Sequence, residues 1–221
     1  MNRKLRILPL CLLGLMVIGY ARAETLKDWG TLQESKIGLP DLISLITGHE
    51  VYDWDEDLAP TLMGIGESVV AEVRRNPIQT ERINEVGNAV ELYVLAELEK
   101  AGLASGRPTP PSGRKKTAGY PDIYAQSGDD YYYIEIKTYS PKTVKSSQRT
   151  FYISPSQDFK VTHDAYHLLL AFSTEEVEDG LYSLTGFKLL GLYGLECNLK
   201  LEFNASNKNL YSKESGLVIE E

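Results

Sequence analysis

The chain has 221 residues, 23 of them basic and 31 acidic, for a formal net charge of −8. An acidic protein does not hold polyanions by bulk charge, because such binding rests on Lys and Arg neutralising phosphates. The length suits one domain with a sizeable core, and no internal repeats or low-complexity runs break it up.

Residues 1–23 have the layout of a secretory leader. Arg3, Lys4 and Arg6 form a basic head, 7–20 is almost wholly apolar, and Ala21-Arg22-Ala23 offers small residues at a cleavage position. The apolar run is shorter than the roughly 20 residues a permanent span needs. The pattern predicts a signal peptide and a periplasmic or secreted protein. Its removal leaves 198 residues with 19 basic and 31 acidic groups, a balance of −12. Cys197 is then the one cysteine left, which excludes an internal disulfide. It sits in an alternating, strand-like setting and reads as a structural thiol.

From 24 to 79 the signals are helical and predict a helical extension or cap. A short apolar helix runs over 39–46 and ends at Gly48, and an amphipathic one covers about 59–75 with Pro60 in its first turn. The core is predicted over 80–221. Thr80 reads as the N-cap of a helix over 81–101 that stops at Gly102. Ile83, Val86, Val90, Val94, Leu98 and Ala101 recur at steps of three and four, making one apolar face, with Glu91 near its edge. Residues 103–119, rich in Pro and Gly, read as loop. Gly128-Asp129-Asp130 is turn chemistry, and 131–139 is rich in aromatic and β-branched residues, so the region reads as a β-hairpin. Ser140-Pro141 breaks the second arm. Further strands are expected at 150–154, at 166–172 and twice within 181–203, with turns near Gly180, Gly186 and Gly194. One leading helix followed by several strands predicts an α/β core with a mixed sheet. His163 and His167 share a metal-pair spacing, but the stretch reads as loop into strand, so both are expected to be structural.

The hairpin carries Pro121-Asp122 on one arm and Glu135-Ile136-Lys137 on the other. Strand alternation puts Glu135 and Lys137 on one face and Ile134 and Ile136 on the opposite, core-facing one. Two carboxylates and an amine can thus converge, a grouping that suits a hard divalent cation and phosphoryl chemistry. As bare strings the motif halves are common. Glu34-Ser35-Lys36, Asp158-Phe159-Lys160 and Pro40-Asp41 also fit one half or the other, but only 121–137 has the right order within a convincing strand.

This pattern resembles the PD-(D/E)XK phosphodiesterases, the restriction-endonuclease-like superfamily. The resemblance implies that core fold, with a mixed central sheet flanked by helices. It implies Mg²⁺ or Mn²⁺ held by Asp122, Glu135 and the Ile136 backbone carbonyl, with Lys137 orienting or activating the attacking water. A glutamate on the upstream helix, Glu91 or its competitor Glu85, completes such sites. The implied activity is metal-dependent endonuclease cleavage, with DNA ahead of RNA as partner. A non-catalytic exported nucleic-acid-binding or assembly protein on the same fold is the alternative. Residues 103–150 carry eight basic and four acidic groups against the acidic whole. Arg114, Lys115, Lys116, Lys142, Lys145 and Arg149 are therefore the expected contacts to a phosphate backbone. The tail 202–211 is similar to C-terminal segments of restriction-type members and favours sequence specificity, whereas export favours little preference.

Overall fold

Helix signals in the first half become three helices in the computed structural model, which describes residues 36–54, 57–113, 119–142, 151 and 158–198. Helix α1 is Leu39–Thr47 and ends at Gly48. Helix α2 is Ala59–Arg75 with its proline in the first turn, and α3 is Ile83–Lys100. The last begins three residues after Thr80, and Thr80 is not its cap: its hydroxyl bonds the Glu85 carboxylate at 2.5 Å. Val86, Val90, Val94 and Leu98 are fully buried as the periodicity predicts, while Ile83 at the helix start and Ala101 just past its end are exposed.

Among the described residues, nine strands join them. They are β1 (Lys36–Gly38), β2 (Val51–Tyr52), β3 (Ile78–Gln79), β4 (Ala104–Gly106), β5 (Ile123–Ser127), β6 (Asp130–Tyr139), β7 (Ala165–Glu178), β8 (Leu181–Gly191) and β9 (Glu196–Asn198). The main sheet runs β3-β8-β7-β6-β5-β4, with β2 paired to the start of β7. Pairs β6–β7 and β2–β7 are parallel and the rest antiparallel, which makes the sheet mixed as expected. Three details depart from the sequence reading. The proline-rich stretch after α3 holds a short edge strand, β4, paired to β5. Strand β7 extends well past Phe172, and Gly186 lies not in a turn but beside a register shift in the β7–β8 ladder. Strands β1 and β9 pair in a small sheet of their own. Residues Gly38–Glu196 form one compact unit; Lys36, Ile37, Cys197 and Asn198 belong to another.

One face of the main sheet is covered by α2 and α3. Ile134 and Ile136 of β6, Leu168, Leu170 and Phe172 of β7 and Leu184 of β8 meet Leu62, Val69, Val86, Val90 and Val94 there. Burying each such side chain contributes roughly 1.5–3 kcal/mol before conformational entropy is set against it. The alternation therefore commits Glu135 and Lys137 to the other face. No helix among the described residues is long and apolar enough to cross a membrane. Residues 1–23, most of 150–154 and the tail from 199 lie outside the described residues.

Candidate active site

The two hairpin arms part at Asp122, and the site forms at that fork. The β5–β6 register pairs Ile123 with Ile134, and continuing it two places sets Pro121 opposite Ile136. Proline has no N–H to give the ladder. The Ile136 N–H, opposite it, donates to Asp122 Oδ2 at 2.9 Å. An antiparallel residue directs N–H and C=O to the same side, so the Ile136 carbonyl also faces the Asp122 arm. The Tyr120–Pro121 peptide is cis.

Glu135 is only 3% exposed. The Lys137 ammonium donates to its Oε1 and stands 3.9 Å from Asp122 Oδ2, so it bridges the two carboxylates. Glu135 Oε2 is buried with no hydrogen-bond partner among the described residues. Burial first, then the Asp122 charge, push the Glu135 carboxyl up to about 7, against the opposing pull of Lys137 and Lys160. A buried carboxylate oxygen with no donor, next to a second carboxylate, is a costly arrangement in a folded protein. A divalent cation satisfies both needs, and Mg²⁺ characteristically takes one or two carboxylates and completes its shell with water and phosphate oxygens.

Glu91, on α3, lies close enough to Asp122 for the aspartate charge to raise its pKa, second to burial. Its Oε2 accepts from Arg107 at 3.0 Å. Glu85, the competitor, is held at the start of α3 by Thr80. Among the described residues no group of three acidic, His or Cys side chains is gathered tightly enough to hold a metal by itself. The oxygens that the fork brings together are those of Asp122, Glu135 and the Ile136 carbonyl.

Sequence reasoning missed two cations here, Arg107 and Lys160. Lys160 belongs to the Asp158-Phe159-Lys160 triplet that looks like an accidental copy of the motif. It is 6% exposed, and its ammonium donates to the carbonyls of Gly119 at 2.6 Å and Pro121 at 3.1 Å. Burial lowers its pKa, while Asp122, Glu135 and Glu91 oppose that shift. The only available signal was a lysine set between the apolar Phe159 and Val161, a few residues before a buried strand. Lys142 is exposed just past β6, whereas Arg114, Lys115, Lys116, Lys145 and Arg149 lie outside the described residues. His163 is in the loop and His167 in β7. His167 is buried, shares a 2.6 Å hydrogen bond with the Tyr120 hydroxyl, and is pushed by burial to about 3, so it stays neutral.

A mixed sheet, an upstream helix bearing Glu91 and a hairpin joining Asp122, Glu135 and Lys137 define a restriction-endonuclease-like nuclease. The model of the type II restriction enzyme MjaV family matches residues 32–214. The type II restriction enzyme MjaV of Methanocaldococcus jannaschii is 36% identical over 201 residues, covering 81% of this chain and 86% of its own. The chain belongs to that family.

Proposed function

We propose that this protein is a DNA endonuclease that depends on Mg²⁺, or Mn²⁺ in its place, held by Asp122, Glu135 and the Ile136 carbonyl with Glu91 completing the shell. The observation that carries the reading is the buried, partnerless Oε2 of Glu135 beside Asp122. Membership in a restriction enzyme family supports DNA as the substrate.

The cation supplies positive charge that polarises the scissile phosphate and makes a water acidic enough to attack. Asp122 is held in place by its bond from the Ile136 N–H, so its carboxylate is oriented before substrate arrives. With a cation held there, Glu135 would be the carboxylate, its proton passing to solvent, because the buried oxygen would then have a charge to face. Lys137, turned from Glu135, would orient the attacking water and stabilise charge growing on the phosphoryl oxygens. Lys142 and the basic residues Arg114, Lys115, Lys116, Lys145 and Arg149 supply the cations that would neutralise the phosphate backbone.

Plasmid and single-stranded DNA, with RNA alongside, incubated with Mg²⁺ or with EDTA, test the reading. Cleavage should require Mg²⁺. Lys137→Ala should cut at least about 100-fold more slowly, in the range seen when one stabilising donor is removed, with divalent affinity little changed. Asp122→Ala should lose both cleavage and affinity. Undiminished cleavage by either variant, or cleavage in EDTA, rejects the assignment. Export is a separate proposal that rests on the leader-like 1–23 alone. A protein recovered from the periplasm or medium and beginning at Glu24 supports it, and one kept in the cytoplasm with Met1 in place refutes it.

A further inference from the structure

Asp122 sits on a short approach to β5 that no ladder hydrogen bond steadies, because the arms have already parted there. That approach, Gly119 to Pro121, is held from two sides. Lys160 takes the carbonyls of Gly119 and Pro121 with one buried ammonium. Gly119 has φ 91°, a left-handed conformation that favours glycine and brings its carbonyl round to the lysine. On the other side the Tyr120 hydroxyl shares its hydrogen bond with His167, and the two rings stack with centroids 5.7 Å apart. The loop bearing Lys160 is itself tied down, since Asp158 accepts from the Ser112 N–H at 3.2 Å and from its hydroxyl at 2.5 Å.

We propose that Lys160 is a positioning residue of the nuclease: by occupying the Pro121 carbonyl it keeps the hairpin arms apart, and so fixes Asp122 where it must meet the cation and the scissile phosphate. The inference rests on the metal-dependent nuclease reading above. A bare positive charge near DNA is the rival role. The geometry opposes it, because the ammonium is buried and spent on two backbone oxygens instead of facing solvent. A purely structural role is the other rival, and the two differ in what they do to turnover in the folded protein.

The test is steady-state cleavage of a DNA substrate by Lys160→Met and Lys160→Gln, each corrected for folded fraction by circular dichroism at the assay temperature, with Asp122→Ala run beside them. Sub-ångström to ångström misplacement of a reacting group costs up to about 100-fold. The expected result is therefore a fall in kcat of about 10- to 100-fold with KM for DNA within about twofold, and a higher Mg²⁺ concentration for half-maximal rate. Wild-type kcat per folded molecule, or a loss confined to KM, overturns the proposal. If Asp122→Ala itself cleaves normally, the site has been misassigned; if only the Lys160 variants do, the site stands and the lysine's role falls. Should neither lysine variant fold, crystals of the wild-type protein with DNA and Ca²⁺ decide. Nζ within hydrogen-bond range, about 3.2 Å, of both carbonyls supports the proposal. Nζ moved onto a phosphate overturns it.

Discussion

Glu135 shows how a site residue can cost stability. Its folded pKa is about 7 against an ordinary 4.5, so between those values the folded chain binds more protons than the unfolded one. Stability from the neutral carboxyl is full below about 4.5 and is lost as the pH rises through 7. A shift of that size corresponds to about 3 kcal/mol, at 1.36 kcal/mol per unit. Glu135→Gln keeps an acceptor for Lys137 and removes the buried charge. With EDTA present at pH 8, its urea denaturation should show about 2–3 kcal/mol more stability than wild type, falling to near zero at pH 4.5. Equal stability at pH 8 would mean that the carboxylate is better solvated than its burial implies. The same residue ties the proposed chemistry to pH. Cation binding has to displace the Glu135 proton, so divalent affinity should climb as the pH rises from 6 to 8, by roughly tenfold per unit below the pKa. A titration flat across that range speaks against Glu135 as a ligand.

At the scale of elements, local signals were legible wherever the chain's own chemistry decided the outcome. The apolar spacing of Val86, Val90, Val94 and Leu98 gave α3, and alternation around Ile134 and Ile136 gave the orientation of Glu135 and Lys137. Illegible were features set by distant partners. β4 exists because Ala104–Gly106 can pair with β5, although its composition is that of a loop. Lys160 reached the site because its loop crosses under Gly119 and Pro121, a contact of about forty residues' separation that no local pattern encodes. Thr80 had the chemistry of an N-cap but spends its hydroxyl on Glu85. The α2–β8 contact was equally hidden. A Cβ at Gly66 would stand 2.2 Å from the Phe187 ring, which itself lies against Phe172. Helix propensity alone favours alanine there, yet Gly66→Ala should destabilise by about 1–3 kcal/mol through overpacking. A thermal melt decides between the two effects: a raised Tm would show that the ring yields freely.

Across the whole molecule, charge is segregated instead of uniform. A chain of net charge −8 keeps a basic strip over 103–150, the stretch that also carries Asp122, Glu135 and Lys137. At the fork itself, Asp122, Glu135 and Glu91 are set against Lys137, Lys160 and Arg107, so the site is formally neutral and its carboxylates are held by cations of the chain. DNA affinity carried by the strip should fall steeply with salt, with each lost phosphate contact reducing the logarithmic slope by about 0.9. The acidic remainder limits non-specific adhesion to polyanions. On the proposed reading, Asp122 and Glu135 share one divalent cation. The most direct measurement is the anomalous difference density of Mn²⁺ in crystals of the protein. The expected result is a peak between those two carboxylates, with ligand distances of about 2.0–2.2 Å as for Mg²⁺, the Glu135 Oε2 turned onto it and Lys137 withdrawn. Mn²⁺ bound elsewhere, with Lys137 still on Glu135 in crystals that cleave DNA, would contradict it.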